Sequence, residues 1–170
     1  MSAIVVPVPE ADPILDQVRA RHPAAVQPVP AHVTVMYPFI PAPQLDDVTL
    51  AEVGAIFAST PPMEVSFARF ARFPSLLYLA PTPAADFVRF THAVTAHWPA
   101  YLPYGGAYDD VVPHLSVAHD LDAAAMDEME RDLAISVPVV ARLVEAWLLV
   151  FEDPKWTVRA RFSFGSAPGF

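Results

Sequence analysis

Twenty prolines are scattered singly or in pairs along the 170 residues, and together they exclude long uninterrupted helices and strands. Proline fixes φ and lacks a backbone donor, so it interrupts helix interiors and central strands. Here the prolines separate short apolar segments and form no low-complexity linker. We therefore expect many short elements, with residues 1–170 folded as a single domain around one core.

Four helices are predicted from apolar residues that recur at helical spacing. Stripes such as Phe87, Phe90 and Val94 should face the core. Aspartate side chains or a first-turn proline mark where each helix should begin. The four predicted starts are Asp12-Pro13, Asp46 or Asp47, Thr82-Pro83, and Asp122.

Seven runs rich in β-branched and aromatic residues predict strands. The last run alternates, with Trp156 and Phe162 on one face and Arg159 and Arg161 on the other. Strands and helices without a regular βαβ rhythm favour an α+β fold with antiparallel sheets. The seven runs are 3–8, 32–39, 65–70, 76–80, 114–118, 143–151 and 156–164.

Composition excludes several functional classes. The chain has no cysteine, which excludes disulfides, thiolate nucleophiles and cysteine-rich zinc sites. A formal charge of −9 with one lysine argues against binding to duplex DNA or long RNA, while a small phosphorylated ligand remains compatible. No apolar run reaches the roughly 18 residues that cross a bilayer, and the N-terminus does not resemble a signal peptide. We expect a cytoplasmic monomer without membrane contact.

Two segments repeat one pattern of a histidine, an aliphatic residue, a hydroxyl residue and another aliphatic residue. They are residues 30–35 (PAHVTV) and residues 112–117 (VPHLSV). Alternate side chains of a strand point to opposite faces. His32 and Thr34 should therefore share one face, and His114 and Ser116 should share another, above aliphatic side chains packed in the core.

A pair of imidazoles suits phosphodiester cleavage, which needs one group to accept a proton and another to donate one. Histidine serves both roles because its ordinary pKa of about 6.5 leaves both forms populated near neutrality. The hydroxyls of Thr34 and Ser116 can donate to phosphate oxygens. No metal or other cofactor is required, and the spacing matches no zinc motif. The alternative is a pair of edge-strand histidines that only complete their hydrogen bonds.

The duplicated motif resembles the signature of the 2H phosphoesterase superfamily, in particular its 2′-5′ RNA ligase-like and cyclic phosphodiesterase branch. Residues 32–39 are similar to the first-motif strand of that family, and residues 104–116 to the loop that enters the second motif. Ser116 stands where threonine is more usual, which keeps the hydroxyl. The resemblance implies a bilobal, pseudo-two-fold pair of antiparallel sheets with helices outside and a central cleft. It also implies catalysis by His32 and His114, with phosphate bound by Thr34 and Ser116.

The activity that this resemblance implies is hydrolysis of a 2′,3′-cyclic phosphate on a nucleotide or a short RNA end. A 2′-5′ RNA ligase or a 2′-5′ oligonucleotide phosphodiesterase would use the same histidines. A non-catalytic nucleotide-binding module is the alternative outside enzymes. It should bind its ligand tightly without turnover.

Four further residues lie near these motifs in the sequence or carry suitable charge. Tyr104 precedes two glycines in a loop that could close on a nucleobase, although a plain turn fits equally well. Arg159 and Arg161 could contact substrate or could simply lie on a solvated face. Because His119 is five positions after His114, regular alternation predicts that it faces away from His114 and Ser116.

Overall fold

The computed structural model describes residues 1–165, in which short helices pack on an antiparallel sheet. This arrangement confirms the predicted α+β class. The helices are α1 (Asp12–Arg21), α2 (Asp47–Ala58), α3 (Ala85–His97) and α4 (Ala123–Leu133). The strands are β1 (Ser2–Pro7), β2 (His32–Met36), β3 (Met63–Phe73), β4 (Leu76–Thr82), β5 (Leu115–His119), β6 (Val139–Leu143), β7 (Glu145–Glu152) and β8 (Lys155–Ser163).

The eight strands form one sheet in the order β6-β3-β4-β5-β2-β1-β7-β8, and neighbouring strands are antiparallel. The two central strands, β2 and β5, meet at the pair Val33 and Leu115. β5 is the inner strand of one four-stranded half of the sheet, and β2 is the inner strand of the other. Each half carries one copy of the histidine motif at its inner strand. The two sheets implied by the resemblance are thus joined at their inner edges.

Two predicted helix starts are capped as expected. The Asp46 side chain accepts a hydrogen bond from the Thr49 N–H, and Asp122 accepts one from the Ala125 N–H, each at 2.8 Å. The third helix begins later than predicted, at Ala85. Thr82 cannot begin that helix because it ends β4, where it is paired with Ser66 of β3.

Asp12 begins α1 but does not cap it. Its Oδ1 instead accepts a hydrogen bond of 2.7 Å from the Ala31 N–H, and the Ala31 carbonyl accepts one of 2.8 Å from the Val8 N–H. These two bonds fix the backbone immediately before His32. The start of the first helix therefore helps to position the first histidine.

The apolar run predicted as one strand over 143–151 is divided. Val144 separates β6, an edge strand paired with β3, from β7, which pairs with β1 and β8. The prediction missed β6 because its residues continue the apolar composition of β7. β6 and β7 lie in different halves of the sheet, so the chain passes from one half to the other at Val144.

A β-bulge changes the predicted faces of β8. Ala160 is paired with Leu148 and Val158 with Leu149, so Arg159 is an extra residue without a partner. Such an insertion shifts the alternation by one position. Trp156 consequently packs beside Leu149 in a small cluster, while Phe162 packs against Phe57 of α2 in the main core. The predicted single apolar face is therefore wrong.

The main hydrophobic cluster includes residues of both halves. Val33 and Leu115 are 0% exposed, and the hydroxyl of Thr91 on α3 donates to the carbonyl of Val35 at 2.9 Å. This buried bond ties a helix to the central strand. Within residues 1–165, every helix is too short or too polar to cross a membrane.

We predict that Asp12→Ala lowers the free energy of unfolding by about 1–2 kcal/mol, because it leaves the partly buried Ala31 N–H without an acceptor. Urea unfolding measures this change. Asp16→Ala is the matched control on the same helix, since it removes only an exposed pair with Arg19 and should cost less than about 0.5 kcal/mol. Equal losses in the two variants would contradict a specific role for Asp12.

Candidate active site

The two central strands bring both copies of the repeated motif to one cleft of about 550 Å³. His32 and Thr34 line it from β2, and Ser116 lines it from β5, just after His114. The intervening Val33 and Leu115 are buried in the core. All four side chains singled out as catalytic or phosphate-binding are thus brought together by two adjacent strands.

Both imidazoles are held in the same way. His32 Nδ1 lies 2.7 Å from the Pro30 carbonyl oxygen, and His114 Nδ1 lies 2.8 Å from the Val112 carbonyl oxygen. A carbonyl can only accept, so Nδ1 carries the proton in each neutral ring. Nε2 is left with its lone pair and can exchange a proton with a ligand. The same bond therefore selects the same tautomer in both rings.

Burial lowers the pKa of both histidines below the ordinary value of 6.5. The carbonyl bond to each ring opposes this effect. Repulsion by His119 lowers the pKa of both rings further, and His32 also experiences repulsion from His114. The neutral forms therefore predominate at pH 7 in the free protein, which leaves each Nε2 available as a proton acceptor.

Aromatic rings surround His114. The Phe73 ring lies edge-on at 5.2 Å between centroids, the Tyr78 ring lies at 5.4 Å, and the Tyr104 ring lies at 6.3 Å and nearly parallel. Phe73 and Tyr78 were not identified from the sequence. They flank the connection between β3 and β4, and only the pairing of β4 with β5 brings them to the histidine.

Tyr104 lines the cleft from a loop with unusual backbone geometry. Its φ is 52°, and the following Gly105 and Gly106 have φ of 65° and 78°. A left-handed tyrosine costs about 1–3 kcal/mol, and its N–H compensates by donating to the Tyr37 carbonyl at 2.6 Å. Burial raises the pKa of the Tyr104 phenol, and the Thr34 side chain partly offsets this. The phenol is therefore a neutral donor near Thr34.

The other side of the cleft is apolar. Ala3, Val5 and Leu149 form its base, and Tyr37 and Trp156 stand beside them with ring centroids 6.1 Å apart. Phe151 also packs against Trp156, at 5.5 Å. We call Tyr37, Phe151 and Trp156 the aromatic wall. It offers flat apolar surface close to the two histidines.

The described side chains that line the cleft carry no fixed charge. Within residues 1–165 no Lys, Arg, Asp or Glu lines it, and residues 166–170 contain none of these types. Arg161 instead lies 3.1 Å from Glu145 and 4.5 Å above the Trp147 ring. Arg159 is exposed at the bulge of β8. Neither arginine suggested as a substrate contact reaches the cleft.

His119 lines the cleft, contrary to the prediction from strand alternation. Tyr78 is paired with Ser116 and Leu77 with Ala118, so Val117 is an extra residue in β5. Val117 and Ala118 both face the core, and His119 returns to the side of Ser116. The prediction was wrong because a bulge depends on the partner strand, and the local sequence carries no clear signal for it.

Comparison with known proteins shows the family. The model of the 2′-5′ RNA ligase superfamily matches residues 6–155, which include both histidine motifs. The chain belongs to the 2′-5′ RNA ligase superfamily. This match confirms the resemblance to 2H phosphoesterases found in the sequence. A Geobacillus kaustophilus protein named "Putative phosphoesterase GK0864" is 24% identical over 153 residues, 86% of each chain.

Solved structures share the fold at low sequence identity. TT0787 of Thermus thermophilus superposes with a TM-score of 0.70 at 18% identity, over 98% of this chain and 99% of that one. E. coli LigT superposes with a TM-score of 0.62 at 13% identity, over 97% of each chain. The superfamily comprises phosphoesterases and RNA ligases, so membership supports an enzyme.

The buried histidines should make stability depend on pH. Their folded-state pKa values are lowered, so the unfolded chain binds protons more readily, and the stabilisation is complete above pH 6.5 and lost as pH falls. We predict a smaller loss between pH 7.5 and 5.5 for His32→Gln than for the wild type, measured by urea unfolding. The control, His92→Gln on an exposed histidine, should lose as much as the wild type. An equal loss in His32→Gln would contradict this origin.

Proposed function

We propose that this protein is a metal-independent phosphodiesterase that opens the 2′,3′-cyclic phosphate of a nucleotide or a short RNA end. One observation carries the proposal: two imidazoles on adjacent central strands, each bound to a carbonyl through Nδ1, leave both Nε2 atoms available at one cleft. This is the arrangement that paired acid and base catalysis requires.

In the proposed reaction, the neutral imidazole of one histidine takes a proton from water as the water oxygen attacks phosphorus. The bond from phosphorus to one ribose oxygen breaks, and the protonated imidazole of the other histidine gives that oxygen a proton. Hydroxyls of Thr34 and Ser116 donate to the non-bridging oxygens, where negative charge increases. Tyr104, a neutral phenol beside Thr34, supplies a further donor. The product is a phosphomonoester.

The cleft favours a small substrate. A cleft of about 550 Å³, with no lysine or arginine side chain among its described lining residues, suits one or two nucleotides better than a long polyanion. The aromatic wall provides a surface on which a nucleobase can stack, which is worth about 1–3 kcal/mol per base in other proteins. Crystal structures of LigT with 3′-AMP and with ATP support nucleotides as the ligand class.

A 2′-5′ RNA ligase, or a phosphodiesterase that cleaves 2′-5′ linkages, is the second candidate, because the matched family is named for that reaction. Ligation is the same ring opening with the 5′-hydroxyl of a second RNA end in place of water, and cleavage of a 2′-5′ linkage is the reverse of that ligation. Both reactions would use His32 and His114 as acid and base. The substrate profile distinguishes the candidates.

The deciding experiment is hydrolysis of a dinucleotide with a 2′,3′-cyclic phosphate by EDTA-treated protein, with the 2′- and 3′-phosphate products resolved by chromatography. We expect ring opening without added metal and a single product isomer. Activity that appears only with added metal would overturn the proposal. Turnover confined to 2′-5′-linked substrates would favour the second candidate, and binding without any turnover would favour a non-catalytic module.

Substitution of either motif histidine should disable the reaction. We predict that His32→Ala and His114→Ala each lower kcat by roughly 10²–10⁴-fold. The double variant should be little worse than the poorer single variant, because the two groups act as a unit. Steady-state kinetics measures both effects, with His92→Ala as the control that retains wild-type kcat. Wild-type turnover by either motif variant would exclude that histidine from the mechanism.

The pH dependence of kcat/KM should be bell-shaped with an acidic maximum. Activity falls at low pH as the base becomes protonated, and at high pH as the acid loses its proton. Because burial lowers the pKa of both rings, we predict a maximum below pH 6.5. A bound anion raises both pKa values, so the maximum of kcat should lie at higher pH. A kcat/KM that rises to a plateau above pH 7 would contradict this.

A further inference from the structure

The cleft presents an unusual problem for a site that binds a phosphate. Its substrate is anionic, yet no lysine or arginine among residues 1–165 lines it, and residues 166–170 contain none. Among the side chains of residues 1–165 that line it, three can carry positive charge near neutral pH: His32, His114 and His119. Any full positive charge that these side chains supply to the phosphate must come from one of these rings.

The acid–base pair is poorly suited to supply a lasting charge. One of its rings must be neutral to accept a proton, and the other gives its proton to the leaving oxygen during the reaction. Thr34, Ser116 and Tyr104 are neutral donors. His119 has no proton-transfer role in this reaction, so it can keep its proton from binding to product release.

We propose that His119 in its protonated form binds a non-bridging oxygen of the substrate phosphate, so that anion binding is coupled to proton uptake by this ring. The identity of the substrate rests on the function proposed above. The coupling to anions does not, because any tetrahedral oxyanion in the cleft would draw the same proton. His119 is thus a binding residue, additional to the two motif pairs.

A carboxylate, that of Asp120, follows His119 directly in the chain. Burial lowers the pKa of His119 below its ordinary value, and the Asp120 carboxylate opposes this effect. A phosphate in the cleft would add a second negative charge that favours the protonated ring. His32 and His114 line the same cleft, and the charge of His119 lowers the pKa of both rings. On β4 the partner of His119 is Leu76, which does not titrate, and Gln27 is also uncharged. Tyr104 stays neutral in this range.

Inorganic sulfate is the first probe, because its charge does not change between pH 5.5 and 8. Sulfate affinity and the pKa of each imidazole are measured by NMR, with the His119 signals assigned by their loss in His119→Gln. We expect sulfate to raise the His119 pKa in the wild type. We also expect His119→Gln to weaken sulfate binding about tenfold at pH 5.5 and little at pH 8. His92→Gln, which changes an exposed histidine on α3, should bind as the wild type does.

Kinetics with 2′,3′-cyclic AMP separates binding from a merely structural role. His119→Gln should raise KM about tenfold at pH 6 and change kcat less than about threefold. His119→Arg, which has a permanent charge, should restore KM and remove most of its pH dependence. Asp120→Asn tests the coupling without changing the ring. It should shift the rise of KM to lower pH, and asparagine tolerates the left-handed φ of 58° at this position.

The outcomes separate the two proposals. Absence of turnover by wild-type protein on any cyclic phosphate would overturn the proposed function, and the sulfate titration would still judge His119. Unchanged sulfate affinity in His119→Gln, or an unchanged His119 pKa when sulfate binds, would overturn the role of His119. A loss of kcat without a rise in KM would overturn it as well.

Discussion

The pairing of β2 with β5 is the constraint on which the rest of the structure depends. These strands meet at one ladder pair, Val33 and Leu115, and each carries one histidine motif on the face opposite its buried aliphatic residues. The contact is short, so neighbouring elements fix it: Asp12 holds the backbone before His32, and Thr91 holds the end of β2. A shift of either strand by one residue would turn its histidine into the core.

The low charge of the cleft has two opposed consequences. Burial among apolar and aromatic groups lowers the pKa of His32 and His114 and so keeps a proton acceptor available at neutral pH. Under the proposed function, an anionic substrate would meet no lysine or arginine side chain among the described residues of the lining. Under the proposed function the two effects are reconciled if the substrate brings protons with it, since an anion raises the pKa of every nearby imidazole. A change in pH would then alter both the affinity for the anion and the rate of proton transfer, because both depend on the protonation of the same three rings.

The sequence predicted the parts of the fold that depend on local periodicity. The His32 and His114 motifs each alternate within one strand, and Asp46 and Asp122 cap the helices that follow them, so these features are visible without knowledge of the partner elements. The position of His119 depends on a bulge in a strand pair, which local periodicity does not encode. The faces of β8 were mispredicted for the same reason, and the contact of Phe73 with His114 required the tertiary arrangement.

The two bulges also explain why pseudo-symmetric halves produce a cleft with unlike sides. In one half, the extra residue Val117 returns His119 to the cleft, where it adds a titratable ring. In the other half, the extra residue Arg159 lets Trp156 face the cleft while Phe162 packs in the core, which adds flat apolar surface. Under the proposed function, His119 would add a phosphate contact from the β5 half, and Trp156 would offer a stacking surface to the base from the β8 half. Two one-residue insertions, one in the central strand β5 and one in the edge strand β8, would thus orient a substrate that the paired motifs alone would accept in either direction.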